Sequence, residues 1–298
     1  MYAIAGATGH IGKAIAETLL SRGKQVRVLG RAMDRLQPLV LKGAEPFVGT
    51  LEDSALVSRA FDGAEAVFVM IPPNMRADDF RTYQNRLGAA IAEAIKIAGV
   101  TYVVNLSSLG AHLAKGTGPV TGLHDQEQRL NKLRKSHVLH LRPAFFMENL
   151  LMNIDLIRGK GITGSPMRGD LRFPLIATRD VAKAAADAML TQSIPDRSVR
   201  DLLGQRDSCM NEITEILGRA IGKPDLHYVQ FSYEDAKQAM VGMGLSVDMA
   251  RRYVEMYQAF NEGRIMSGLA RTAENTTETP IEEFAKEFAA MYKAGIAA

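Results

Sequence analysis

Short, nearly continuous apolar runs alternate along the chain with longer stretches whose apolar positions return every three or four residues. The first kind reads as strands buried on both faces, the second as helices with one apolar side. Tyr2–Ala5 is a strand, and a helix follows to about Arg22, with Ile11, Ile15 and Leu19 inward and Gly23 as its stop. Gln25–Leu29 and Ala44–Val48 are the second and third strands, with helices at Met33–Val40 and Ser54–Phe61. Ala64–Ile71 is the strongest strand signal, ended by Pro72 and Pro73. A long amphipathic helix, Asp78–Ala98, closes at Gly99. Tyr102–Leu106 is the fifth strand, His124–Lys135 a helix and Val138–Leu141 the sixth strand. Repeated strand–helix units imply a parallel sheet covered on both faces, and right-handed crossovers leave a doubly wound α/β layout.

Past Pro143 the rhythm changes. Phe145–Ile157 is predicted helical, Gly159–Phe173 a loop, Asp180–Leu190 an Ala-rich helix and Val199–Leu203 one more strand. Helices dominate afterwards, at Asn211–Ile221, Ser232–Met243, Val247–Phe260 and Ile281–Tyr292. This part is expected to form a smaller lobe that roofs the carboxyl edge of the sheet, where ligands of open parallel sheets bind.

The junction of the first strand and first helix carries Gly6-x-x-Gly9-x-x-Gly12. Strand, glycine turn and helix are the arrangement that seats a pyrophosphate on a helix N-terminus. Gly6 permits the turn, Gly9 admits the phosphates and Gly12 lets the helix pack close. A dinucleotide is therefore expected. NAD-preferring sheets place a carboxylate at the end of the second strand, but here Arg31 follows Gly30, and Arg35 stands one helical turn on. An arginine fork matches a ribose 2′-phosphate in charge and geometry, so NADP(H) is preferred over NAD(H).

Composition narrows the alternatives. The 298 residues carry a net charge of only +3, and no dense Lys/Arg block marks a nucleic-acid surface. A single cysteine, Cys209, excludes an intrachain disulfide and a cysteine metal site, and it fits a reducing cytoplasm. The six histidines show no metal spacing. No apolar run reaches the roughly 18 residues of a membrane span. The chain opens on a strand, so no secretory leader is expected.

Gly6-Ala-Thr-Gly-His-Ile-Gly12, Arg31, Val48-Gly-Thr-Leu-Glu-Asp53, Arg142-Pro-Ala-Phe-Phe-Met-Glu-Asn149 and the closing Thr279-Pro-Ile-Glu-Glu-Phe-Ala285 resemble the NmrA-like group, atypical relatives of the short-chain dehydrogenases. The resemblance covers almost the whole chain. It implies a Rossmann-type domain over residues 1–150, rejoined by 176–204, and a smaller lobe over 151–175 and 205–298. It further implies that Gly6, Thr8, Gly9, His10 and Ile11 wrap the pyrophosphate and that Arg31 meets the 2′-phosphate. Thr50 and Leu51 would lie near adenine, Met70, Ile71 and Pro72 under its ribose, and Ser107, Pro143, Phe145 and Phe146 at the nicotinamide. Members include NADPH-dependent quinone or azo-dye reductases and redox-sensing regulators.

Ordinary short-chain dehydrogenases pair Tyr with Lys one helical turn apart, so that the ammonium tunes the phenol. Here His124 and Gln128 stand at those positions. Gln supplies no cation, which argues against alcohol dehydrogenation. A literal Tyr233-x-x-x-Lys237 lies in the C-terminal lobe and is read as coincidence. His124 and Ser107 are the candidate catalytic groups. His124 could instead hydrogen-bond the nicotinamide ribose or the substrate, or face solvent, and Ser107 could merely cap its turn. Phe146, Asn149, Phe173 and Phe260 are candidate substrate contacts, with core packing the alternative for the phenylalanines. The expected activity is reduction of a quinone-like or other electrophilic small molecule, since such acceptors need little proton chemistry from the protein. The alternative is a non-catalytic NADP(H) sensor that binds a regulatory protein. A homodimer is compatible with either reading, and neither nucleic acid nor membrane is expected as a partner.

Overall fold

The computed structural model describes residues 1–295. Strands β1 (Tyr2–Ala5), β2 (Val26–Gly30), β3 (Glu45–Val48), β4 (Ala66–Val69), β5 (Tyr102–Leu106) and β6 (His137–Pro143) alternate with helices α1 (His10–Ser21), α2 (Met33–Val40), α3 (Ser54–Phe61), α4 (Phe80–Ala98) and α5 (Thr121–Leu130). Next come β7 (Phe145–Phe146), a 3₁₀ segment (Met147–Asn153), α6 (Ile154–Lys160), β8 (Ile162–Ser165), β9 (Phe173–Ile176), α7 (Thr178–Thr191) and β10 (Arg197–Leu202). The chain continues through β11 (Asp207–Ser208), α8 (Met210–Ala220), β12 (His227–Gln230), α9 (Tyr233–Gly242), α10 (Val247–Asn261) and α11 (Ile281–Ala294).

The main sheet has the order β3-β2-β1-β4-β5-β6-β10, and every pairing in it is parallel. From β1 the chain steps outward to β3, then returns to β4 on the other side of β1. That reversal opens a crevice at the carboxyl ends of β1 and β4, the place where open α/β sheets take ligands.

Period-two alternation sends side chains to two apolar layers. Ile4, Phe68, Val104 and Leu141 pack against Ile11 and Ile15 of α1 and Val181 and Ala185 of α7. Ala3, Val67, Val69 and Val103 pack against α3 and α4 through Val57, Phe61, Leu87 and Ile91. Full burial of such side chains is worth about 1.5–3 kcal/mol each, more than any local propensity supplies. The first layer runs on into the C-terminal helices, whose Ile213, Leu217, Phe260, Phe284 and Phe288 belong to the same cluster.

Three expectations need correction. Phe145–Ile157 is not one helix: Phe145 and Phe146 pair in parallel with Leu175 and Ile176, and only Ile154 onward is α-helical. The expected loop at 159–173 contains β8, which pairs with the unanticipated β12. The partners of both short strands lie far along the chain, so tertiary pairing decided them. The helix expected at His124–Lys135 begins at Thr121 and stops at Leu130. Arg197 of β10 donates to the carbonyls of Asn131, Leu133 and Ser136 and holds that segment as a turn.

The packing of α1 against the first turn depends on Gly12. A methyl group there would stand 2.4 Å from Gly6 O and 3.1 Å from Ala7 Cα, both backbone atoms that cannot swing aside. Gly12→Ala is expected to cost about 1–3 kcal/mol of stability, as overpacking does elsewhere. Urea denaturation checks it, and an unchanged midpoint would refute the contact.

Candidate functional site

Gly6 turns the chain out of β1 with φ at +70°, a conformation that side chains resist. Helix α1 then starts at His10 with Gly9 as its N-cap and no side chain capping it. By contrast Asp53, Asp79, Ser232 and Ser246 cap α3, α4, α9 and α10 with their own side chains. No acidic residue lies in the first turn of α1. The first bond of the turn is Lys13 N to Gly9 O at 2.9 Å, which leaves the amides of His10, Ile11 and Gly12 without intrahelical acceptors. Gly9 is exposed, and a methyl group on it would meet only Gly6 O, at an ordinary 3.5 Å. Open space, free amides and the positive end of the helix together suit an anion.

The end of β2 closes on the same turn. Thr8 packs over Gly30, and Arg35 Nη2 donates to Thr8 O at 3.2 Å. Arg31 is exposed and enters no ion pair among the described residues. Nearby, Arg86 pairs with Glu52 at 3.0 Å. Burial and then the Glu52 carboxylate push the Tyr83 phenol up, opposed by Arg31 and Arg86. Thr50, exposed, and Leu51, buried, follow β3, while Ile71 and Pro72 follow β4. The expected adenine-side residues therefore gather at the carboxyl ends of β1 to β4.

A cleft of about 720 Å³ opens from the glycine turn. Of the expected residues it brings together Gly6, Gly9, His10, Ile11, Met70, Phe146 and Asn149. Leu106 and Phe68 line its floor-side strands, and Phe284, Glu287 and Met291 of α11 join the wall. Glu148, Thr178 and Arg179 also line it. Glu148 and Asn149 stand together in the motif after β6, which was the one local signal for this wall. Nothing local pointed to α11. Arg179 pairs with Glu283 at 2.6 Å and Glu287 at 2.7 Å, and Asp180 accepts from Thr277 and Thr279. These contacts latch the last helix to the start of α7.

The expected aromatic wall is partly core. Phe173 is 0% exposed and Phe260 7%. Phe173 meets Phe145 and Phe260 edge-on, with centroids 5.5 and 6.3 Å apart. Neither Phe173 nor Phe260 lines the cleft, and Pro143 is buried. Phe173 lies on β9 itself and is enclosed by the rings of Phe145 and Phe260.

Neither Ser107 nor His124 lines the cleft. Ser107 Oγ donates to Glu127 Oε1 at 2.5 Å, and Glu127 also takes two bonds from Arg142. The single hydroxyl proton is thereby committed, so Ser107 can only accept from a ligand and cannot polarise a carbonyl. His124 Nδ1 lies 2.8 Å from Ala111 O, a pure acceptor, so Nδ1 carries the proton and Nε2 remains for other contacts. Tyr233 OH accepts from Asn261 and Lys237 pairs with Glu234, so both side chains are engaged locally around α9 and α10. Behind Ser107, His140 is buried between Asn105 Nδ2 at 3.1 Å and Asn131 Oδ1 at 3.0 Å. The neutral ring satisfies both, with Nε2–H donating to Asn131. Burial, outweighing the opposite pull of Glu127, brings its pKa down to about 4.

The NmrA-like family model matches residues 2–286. The chain is 29% identical over 298 residues to the NAD(P)H azoreductase of Xenophilus azovorans, covering 100% of both chains. Its fold is that of a triphenylmethane reductase from Citrobacter sp. solved with NADP(H), at a TM-score of 0.80, 20% identity and coverage of 97% of this chain and 100% of that one. An NADPH-dependent quinone oxidoreductase from Escherichia coli, solved with NADPH, superposes with a TM-score of 0.77 at 21% identity, covering 96% and 99% of the two chains.

The buried His140 generates a pH dependence. Between the unfolded value near 6.5 and about 4, the unfolded chain takes up a proton that the folded ring refuses. Stability is full above that window and falls as pH drops through it, by roughly 2 to 3 kcal/mol at about pH 4.5. Chemical denaturation at pH 7 and 4.5 should show this loss in the native protein and a smaller one in His140→Gln. Equal losses would exclude His140 as the source.

Proposed function

This chain belongs to the NmrA-like family, and on that premise we propose that it binds NADP(H) and reduces quinone-like or other electrophilic small molecules. The observation that carries the reading is the uncapped N-terminus of α1 opening into the cleft, with Arg31, exposed and in no ion pair among the described residues, just past the adjacent strand. The residues fit the dinucleotide. Backbone amides of His10, Ile11 and Gly12 would hold the pyrophosphate, and Arg31 the 2′-phosphate. Arg35 braces the turn through Thr8 O. Thr50, Leu51, Ile71 and Pro72 would surround the adenosine.

When bound, the nicotinamide supplies the hydride. The chain's own part is to hold the two reactants together and keep water out. Met70, Leu106, Phe146, Phe284 and Met291 give the cleft apolar walls suited to a flat acceptor. No tuned tyrosine stands where His124 and Gln128 are, so proton delivery falls to solvent, or to His124 Nε2 only when the ring is doubly protonated, and strong acceptors are favoured over alcohols or ketones. Residues 1–150 and 176–204 would bind the dinucleotide, and the remainder would wall the acceptor site through α11.

The reading is tested by titration with NADPH and NADH, followed by NADPH oxidation with a panel of quinones. Tight NADPH binding without turnover on any quinone would favour a sensor that acts through a regulatory partner. Arg31→Asp should weaken NADPH binding by roughly 10- to 100-fold and NADH binding by less than about threefold, as loss of a charge-assisted fork predicts. Equal losses would sink the 2′-phosphate assignment. Gly9→Ala should leave unfolding within about 0.5 kcal/mol of the native protein, because the fold has room for the methyl group. The same variant should lose roughly tenfold or more in NADPH affinity, since the methyl group occupies the approach of the phosphates.

A further inference from the structure

The carboxyl group of Glu148 is only half satisfied. Oε1 accepts from the Thr178 amide at 2.8 Å and from the Thr178 hydroxyl at 2.6 Å, which caps α7 from outside the helix. Oε2 is shielded from solvent and has no partner among the described residues. The neighbouring cation, Arg179, is bound to Glu283 and Glu287 and does not neutralise it. Buried polar atoms have partners with few exceptions, and each exception calls for a reason. Capping is not the reason. A glutamine carbonyl would accept both Thr178 bonds equally well, without a charge and without a second oxygen left over.

The place of Glu148 in the cleft suggests what the second oxygen is for. Suppose a dinucleotide lies with its pyrophosphate on the amides of His10–Gly12 and its 2′-phosphate at Arg31, on the β2 side of β1. Its other half must then run the opposite way, across β4 toward the ends of β5 and β6. Leu106 ends β5, and Phe146 and Glu148 follow β6, all three lining the cleft. The ring that arrives there carries a primary carboxamide with two N–H donors. A carboxylate only accepts, so with Oε1 on Thr178 the second oxygen is the one left to take a donor from the cleft that Glu148 lines. The surrounding Phe68, Met70, Leu106 and Phe146 are apolar and make such a bond strong.

Resting on the cofactor reading above, we infer that Glu148 is the acceptor for the carboxamide N–H of the nicotinamide ring and so fixes the rotation of the ring in the cleft. A bond of this charged kind is worth roughly tenfold in affinity.

The test pairs the variant with altered cofactors, and its readout is binding rather than turnover. Dissociation constants are measured for NADP⁺, for its 3-acetylpyridine analogue, in which a methyl ketone replaces the amide, and for its nicotinic acid analogue, in which a carboxylate does. The native protein should bind the methyl ketone roughly tenfold more weakly than NADP⁺, and the carboxylate more weakly still. In Glu148→Gln both gaps should shrink to less than about threefold, because the charge and the acceptor are gone. 2′,5′-ADP, which lacks the nicotinamide half, should bind both proteins equally. Native protein that binds the methyl ketone as tightly as NADP⁺ overturns the inference without any variant. So does a Glu148→Gln protein that binds 2′,5′-ADP normally but keeps the native gaps. Binding of neither NADP⁺ nor 2′,5′-ADP to the native protein would instead overturn the cofactor reading, and this assignment with it.

Discussion

The approach of α1 to the turn after β1 governs the arrangement of the site. Gly12 sits so close to the Gly6 carbonyl that even a methyl group has no room. That closeness brings the start of α1 directly over the crevice between β1 and β4 and points its free amides outward. It also lays the flank of α1 against α7, the most extensive helix pairing on that face of the sheet. The same helix therefore anchors one apolar layer and presents the positive end on which the proposed chemistry depends. Stability and binding share one backbone contact, and Gly9, three residues away, is left free of packing duties.

The polar groups near β5 and β6 follow a different logic. Where related dehydrogenases place a tyrosine and a lysine, this chain has His124 and an exposed Gln128. The buried charge is found one residue earlier, in Glu127, held by Arg142 and Ser107. A buried ion pair of this sort contributes little net stability, but removing one partner leaves an uncompensated charge. Its effect here is geometric. It locks Ser107 as an acceptor and ties α5 to β6, while the neutral His140 joins β5, β6 and the turn after α5 through Asn105 and Asn131. The site gains rigidity at the price of an acid that could serve alcohol chemistry.

The far wall of the cleft is built from the other end of the chain. Phe284, Glu287 and Met291 reach it because Arg179 and Asp180 bind the 277–287 segment across roughly a hundred residues of sequence. The apolar cluster below α1 and α7 continues into α8 and α11. The C-terminal helices thus complete the cleft while sharing the apolar cluster below α1 and α7, and what Glu148 faces depends on α7 and the 3₁₀ segment meeting as they do.

Much of this was legible in the residues themselves. Buried parallel strands must be apolar along their whole length, so Tyr2–Ala5 was legible as it stands and the run Ala64–Ile71 contained β4, while helix periodicity marked α4 and α7 within two residues at each end. The glycine turn and Arg31 were readable because backbone clearance and charge are properties of single positions at known spacing. The rest depended on partners that no local pattern names. Phe145 and Phe146 became a strand only because β9 lies beside them. Asn131–Lys135 stopped being helix because Arg197 claims its carbonyls. Phe173 became core because Phe145 and Phe260 enclose it. Glu148 stands in the motif that follows β6, yet its half-satisfied carboxyl appears only when Thr178 takes one oxygen and leaves the other. Periodicity, clearance and charge are written along the chain, and they determined the sheet, its order of helices and the uncapped glycine turn. Long-range hydrogen bonds and shared burial are not, so only the tertiary structure decided the walls of the cleft and which of its polar atoms remain free.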